Sequence, residues 1–303
     1  MNKTFTLLFF LMCQQTVFGQ LTTDHSYHPT IATKTYPNDD GTIVYIDEAH
    51  NNHHMHNEDY IPLSRILTSD GYSVKVNTRR FSAAVLKDFQ ILLLASPQPD
   101  SLTDDFKTLP TPDILSPEEV VAVKEWVRNG GSLLLVADHM PLAGTINSLA
   151  SAFGFTVYNS FVMRSPTNGI IDFNISNGTL NENSTIVKGR DESESISWIR
   201  TFTGHGFSIP ENAESVLRLT ASETVYLTKE TWNFDEVKDE FSAEGLSQGA
   251  ILTYGKGKVA FFGEATMFKS RLWGKKKIGM NHKKAKENYQ LLLNTIHWLD
   301  DKL

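Results

Sequence analysis

SPEEVVAVKEWVRNGGSLLLVADH, residues 116–139, holds a complete helix signal followed by a complete buried-strand signal. Ser116 is an N-cap residue, Pro117 suits the first helical position, and Glu118 and Glu119 lie at the positive end of the helix dipole. Val120, Val123, Trp126 and Val127 fall on one helical face, and Gly130-Gly131 ends the helix. The run SLLLVA then carries no polar residue after its serine, which fits a strand covered on both faces. Asp138 and His139 emerge where that strand stops.

The same alternation extends outward. TIVYI at 42–46 reads as a strand, residues 60–69 carry apolar residues at helical spacing, and Gly71 closes them. Strands follow at 72–76 and at 89–95 (FQILLLA), the latter closed by Ser96-Pro97. A helix is expected at 145–153 and a short strand at 155–158. Strands alternating with helices predict an α/β fold with a doubly wound, mostly parallel sheet. Between 160 and 247 the rhythm breaks: the chain is rich in Asn, Ser, Thr and Glu, with β-like pieces at 215–219 and 224–228. This predicts a β-rich insertion. Residues 250–254 and 258–263 flank Gly255-Lys256-Gly257 as a hairpin, and 284–300 form a closing helix with Tyr289, Leu292, Leu293, Ile296 and Leu299 inward.

Residues 1–19 read as a secretory signal: Lys3, an apolar run at 7–12, and Val17-Phe18-Gly19. The run is too short to span a membrane, and Met12 stands before Cys13 where a lipoprotein signal has a small residue. The expected organisation is a signal at 1–19, an extended lead-in at 20–41, and one α/β domain at 42–303 with the insertion at 160–247. Cys13 is the only cysteine in the chain of 303 residues. A processed chain therefore has no disulfide, no Cys-ligated zinc and no Cys nucleophile, which suits a periplasmic or secreted bacterial protein. A net charge of −7 makes bulk nucleic-acid binding unfavourable. GxGxxG, P-loop, GxSxG and HExxH patterns are absent from the sequence.

Open parallel sheets bind ligands beyond the carboxyl ends of their strands. At those ends stand Asp47, Glu48 and His50; Ser96 and Pro97; Asp138 and His139; and Glu264 and Thr266. A single polar residue there only marks the chain meeting water or capping a helix, but convergence from independent strands points to a site. The expected catalytic group is His50 and His139 first, then Glu48, Asp138 and Glu264. IDEAHNNHHMHNEDY, residues 46–60, also holds His53, His54 and His56; their greater distance from the strand end reads as loop or rim. Expected substrate contacts are His205 in TGHG, Arg164 in FVMRSPTNG, and Lys269, Arg271, Trp273 and His282 in the basic stretch KSRLWGKKKIGMNHKK, where cations and an aromatic suit an anionic sugar. The competing readings are a surface turn and a solvated charge run. No cofactor is called for. His and carboxylate ligands suit zinc or manganese, so a divalent metal stays open as an alternative.

IVYIDEAHNN, VKEWVRNGGSLLLVADH and GKVAFFGEATMF resemble an extracytoplasmic family of Bacteroidetes. Its members look like class I glutamine amidotransferase folds, flavodoxin-like sheets, that have lost the catalytic cysteine. The resemblance covers residues 42–158 and 249–300 and implies that fold. It does not carry amidotransferase chemistry, because Asp138-His139 follows the fourth strand here. It extends to a dehydratase type acting on uronic-acid-ended oligosaccharides, as from ulvan. It therefore implies a lyase that eliminates water from the terminal uronic acid of an acidic oligosaccharide. Two further readings stay open: a metal-dependent carbohydrate hydrolase or deacetylase using His50, Asp138, His139 and Glu264, and a non-catalytic sugar-binding module.

Overall fold

A computed structural model describes residues 21–303; the expected signal peptide lies outside them. Strands β1 (Ile43–Asp47), β2 (Ser73–Asn77), β3 (Ile91–Ala95), β4 (Ser132–Val136), β5 (Ser247–Tyr254) and β6 (Gly257–Phe262) form the body of a nine-stranded sheet. Five of them run parallel in the order β2–β1–β3–β4–β6. β5 is antiparallel to β6, and Phe207–Ser208, Thr156–Val157 and Glu214–Arg218 extend that antiparallel side. The chain is thus a mixed α/β protein with a large sheet that is part parallel and part antiparallel.

Alternate residues of each central strand go to opposite cores. Val44, Ile46, Leu93, Leu134 and Phe262 pack with Leu63 and Leu67 of helix α1 (Ile61–Ser69), and with Leu292 and Ile296 of the closing helix. Leu92, Leu94, Leu133, Leu135 and Phe261 pack with Val123 and Val127 of α2 (Pro117–Arg128). Helices therefore cover both faces, and the side-chain period of two explains why the central strands are almost wholly apolar. Truncating one such residue, Leu134→Ala for instance, costs about 2–5 kcal/mol.

Helix α2 begins in a complete capping box, Ser116 with Glu119. At its end Gly131 lies under the Trp126 ring, where a Cβ would come within 2.3 Å of ring carbons. The closing helix, α3 (Asn288–Leu299), starts four residues later than its apolar spacing suggests. Glu287 is its N-cap residue: its carbonyl accepts the N–H groups of Gln290 and Leu291, while its carboxylate accepts the backbone N–H groups of Ser197 at 2.6 Å and Trp198 at 2.9 Å.

The segment expected as an insertion divides its strands. Phe161–Met163, Thr224–Thr228 and Val237–Ser242 form one small sheet, and Ile170–Asn174 with Trp198–Phe202 form another. Two further strands from the same segment join the main sheet. The lead-in is also tied down. Leu21–Thr23 pairs antiparallel with Ser270–Trp273, which pairs with Lys276–Gly279, so the basic stretch is a hairpin with the lead-in on its edge. No helix among the described residues is long and apolar enough to cross a membrane.

Candidate active site

The carboxyl ends of β1, β3, β4 and β6 meet at one edge of the sheet. Ser96, just past β3, accepts the Asp138 N–H on its hydroxyl at 3.1 Å, while its own N–H donates to the Val136 carbonyl at 2.9 Å. Ser96 holds a left-handed φ of 52°, a strained backbone state for serine that these bonds maintain. The TGHG stretch runs tightly against the end of β6. A Cβ on Gly204 would lie 2.3 Å from the Gly263 carbonyl, and the His205 N–H donates to that carbonyl at 2.8 Å. This brings the His205 ring, fully buried, beside the backbone of Asp138.

A cavity of about 250 Å³ opens at this edge, lined by His53, Asp138, His139, Lys269 and Arg271, with Trp232, Phe202, Thr203 and Leu21 around them. The His139 ring is stacked on Phe161 at 4.5 Å and meets Trp232 edge-on at 4.6 Å. Its Nδ1 lies 2.7 Å from the Met140 carbonyl. A carbonyl can only accept, so Nδ1 carries the proton, and in the neutral ring Nε2 is left as a lone-pair acceptor. Asp138 stands 4.0 Å from that Nε2 and 3.8 Å from Nε2 of His54.

Lys269 and Arg271 enter from the basic hairpin. Lys269 is buried to 1% exposure, and both side chains converge on Asp59, at 3.5 and 3.6 Å. His54 Nδ1 reaches the same carboxylate at 3.4 Å, a loose contact rather than a formed bond. Burial alone would raise Asp59, but His54, Lys269 and Arg271 hold it well below the ordinary carboxylate range. Burial would likewise raise Asp138, and the proximity of His139, Lys269 and His54, with the His139 N–H it accepts, keeps it low. Glu264 goes the other way. Burial, reinforced by the negative charge of Asp138, pushes it up to about 8. Its carboxyl accepts the N–H groups of Thr266 at 2.6 Å and Met267 at 2.8 Å. Burial lowers the ammonium of Lys269 and the imidazoles of His53, His54 and His205, the last two to about 3 and about 4.

Several buried groups here have no hydrogen-bond partner within the protein: both ring nitrogens of His54, both of His205, the Tyr60 hydroxyl and Nε of Arg271. Buried polar groups are normally paired, so a concentration of unpaired ones beside a cavity marks a place built for more than stability.

His50 belongs to a different arrangement. Its Nδ1 lies 2.7 Å from Asp47 and its Nε2 2.9 Å from Glu119. Asp47 also accepts Asn52 at 2.7 Å and Asn77 at 2.8 Å, and Glu119 accepts the N–H groups of Phe81 and Ser116 at 3.0 Å. Burial would lower His50, but the two carboxylates raise it above the ordinary histidine value. The ring is fully enclosed, and both nitrogens are committed.

Of the residues expected to be catalytic, Asp138 and His139 line the cavity, and Glu264 lies buried close enough to act on Asp138 and Lys269. His50 sits in its own carboxylate pair, and Glu48 accepts the His56 N–H at 2.9 Å; neither lines the cavity. Of the expected substrate contacts, Lys269 and Arg271 line it, and His282 meets the ring of the wall residue Phe202 at 5.9 Å. Trp273 is half exposed beneath Lys276, and Arg164 pairs with Glu223 at 3.2 Å, both outside the cavity. His53 and His54 were read as loop or rim, and the first lines the cavity while the second is fully buried; Asp59, Tyr60, Phe202 and Trp232 were not expected. His53, His54, Asp59 and Tyr60 lie in the histidine-rich stretch, where density was the signal and distance from the strand end hid it. Trp232 comes from the irregular segment and has no local pattern to mark it.

A larger cleft of about 840 Å³ lies at the opposite edge of the sheet, beside Trp126, Ser132 and Leu299, and holds no histidine. Among the described residues no group of three or more His, Cys, Asp and Glu side chains could hold a metal ion. His50, one of the four ligands of the metal-dependent alternative, is bound up with Asp47 and Glu119.

The sequence matches no protein-family model and no curated protein. Solved structures do resemble it. The "mmIFT52 N-terminal domain" superposes with a TM-score of 0.59 over 85% of this chain and 97% of that one, at 15% identity. A putative ThuA-like protein from Bacteroides uniformis gives 0.44 at 10% identity, over 90% and 94% of the two chains. The β-galactosidase from Rahnella sp. R3 gives 0.44 at 11% identity, over 86% of this chain and 31% of that one. At such identities a likeness concerns architecture only, and what the chain shares with the first of these structures is its mixed α/β fold.

Proposed function

We propose that this chain is an extracytoplasmic carbohydrate-active enzyme on a doubly wound, class I glutamine amidotransferase-like frame. Its most specific reading is a hydro-lyase that removes water from the terminal uronic acid of an acidic oligosaccharide. One observation carries it: the largely buried cations Lys269 and Arg271 share a small cavity with His139, whose Nδ1–H donates to the Met140 carbonyl.

Each part of the reaction has a counterpart. Lys269 and Arg271 receive the uronate carboxylate. Nε2 of His139 removes the proton on the carbon next to that carboxylate. The electron pair moves into the carboxylate as an enediolate, whose growing charge the two cations stabilise. It then returns to form the double bond as the neighbouring hydroxyl leaves. The imidazolium of His139 protonates that hydroxyl, so water departs and the ring returns to its neutral form. Asp138, at 4.0 Å from Nε2, stabilises the imidazolium between the two transfers. Trp232 and Phe202 supply apolar walls for the sugar ring.

The test is direct. Oligosaccharides ending in a saturated uronic acid should lose one water by mass spectrometry and gain the ultraviolet absorbance of a conjugated uronate. Tight binding with no change in mass would instead leave a sugar-binding module, and turnover that follows added zinc or manganese would point to the metal-dependent alternative.

A further inference from the structure

The cavity takes a single small unit, and one of its wall residues belongs to a strand whose other end reaches a second cavity. In the strand Trp198–Phe202, Ile199 and Thr201 are fully buried in the interior. Trp198, Arg200 and Phe202 share the opposite face, because a strand alternates its side chains. Phe202 lines the cavity that holds His139. Trp198, about 13 Å further along the strand, lines a separate surface cavity of about 340 Å³ with Lys283, Lys284, Lys286, Ser197 and Glu287, whose carboxylate is taken by the N–H groups of Ser197 and Trp198.

The two aromatics are held as a pair. The loop that places His282 at 5.9 Å from the Phe202 ring also places Lys284 Nζ at 5.9 Å from the Trp198 ring. On the same face, between them, Asp172 accepts Arg200 Nε at 2.6 Å and the Trp198 indole N–H at 3.2 Å, so its carboxylate is neutralised by Arg200 and the indole is held in place. The three lysines are exposed, on a chain whose net charge is −7. Aromatic planes offer the apolar contact that a sugar ring face accepts, and an ammonium reaching across such a plane meets an anion seated there.

We propose that this face is a track for the following units of an anionic oligosaccharide whose terminal unit occupies the cavity. Phe202 with His282 forms its near step, and Trp198 with Lys284 and Lys286 its far step. The inference rests on the proposed function for the terminal unit and adds a preference for length.

Calorimetry with oligoglucuronates, a dimer and a hexamer, on the whole chain tests it. The hexamer should bind about tenfold tighter than the dimer or better. Lys284→Glu with Lys286→Glu should bring the hexamer down to the affinity of the dimer and leave the dimer unchanged. Trp198→Ala should do the same; the two lysines are exposed, so the charge reversal stands as evidence even if the tryptophan variant fails to fold. Equal affinity for both lengths in the unaltered chain, or a charge reversal that weakens both lengths alike, overturns the track. So does an oligonucleotide that binds these lysines more tightly than the hexamer. Water elimination from the dimer without a gain for the hexamer removes the track and keeps the function. A gain for the hexamer without elimination keeps the track and removes the function. No binding of either length removes both.

Discussion

His50 and the pair His53–His54 lie within a few residues of each other in sequence and belong to clusters of opposite character. His50 has both nitrogens bonded to carboxylates that are themselves saturated by Asn52, Asn77 and backbone N–H groups. The cluster of His53, His54, Asp59, Asp138 and His139 has loose contacts, unpaired ring nitrogens and an open cavity. A satisfied buried network fixes one arrangement, and taking away one partner leaves the others buried and uncompensated. A network with unpaired donors and acceptors costs stability, and such costs concentrate where a ligand is handled. The same residue type thus does structural work at position 50 and is available for chemistry at 139.

The largest expected effect separates the two clusters. His139→Gln should lower turnover about 10²–10⁴-fold, the usual contribution of one general acid–base group, and leave the melting temperature nearly unchanged. His50→Ala should leave Asp47 and Glu119 buried without their shared cation, and cost about 3–5 kcal/mol in a denaturant titration. Its folded fraction should still turn over substrate. Arg271→Ala comes next, with a rise in KM of roughly ten- to a hundredfold, the scale of a charged hydrogen bond; an unchanged KM would remove Arg271 from carboxylate binding.

Glu264 gives a pH test of how closed the inner wall is. Its folded pKa of about 8 lies above the ordinary value of 4.5. Its stabilising share is therefore complete in acid and is lost as pH rises from about 4.5 through 8. Glu264→Gln stays neutral, so its melting temperature should rise relative to the unaltered chain as pH climbs towards 9. A constant offset from the lost carboxylate acceptor does not alter that slope. Parallel curves for the two proteins would mean that Glu264 is already ionised at neutral pH. The smallest effect belongs to Trp273→Ala. Half exposed and outside the cavity, it should change stability by less than about 0.5 kcal/mol and turnover hardly at all.

The central strands were legible because both faces are buried, which leaves runs such as SLLLVA with no competing reading. Helix α2 was legible because its capping box and terminal glycines are local. Asp138, His139 and Glu264 were legible at the edge of the sheet for the same reason: strand ends mark a place in space as well as in sequence. The split between His50 and His53 or His54 was not legible. It depends on Glu119, sixty-nine residues away from His50, and on Asp59 being met by a hairpin from the far end of the chain. Trp232 and Phe202 reach the cavity through small antiparallel sheets whose pairing follows no local signal. The pairing of the lead-in with the basic hairpin, which brings Leu21 to the cavity, is equally non-local.

The division of labour between the two clusters is tested most directly by measuring turnover and unfolding together for His139→Gln and His50→Ala, with a uronate-terminated oligosaccharide as substrate and loss of water as the readout. The expected result is a stable His139 variant whose release of unsaturated product falls about 10²–10⁴-fold and an unstable His50 variant whose folded molecules still release it. A His139 variant that keeps full activity, or a stable His50 variant that has lost it, would contradict the account.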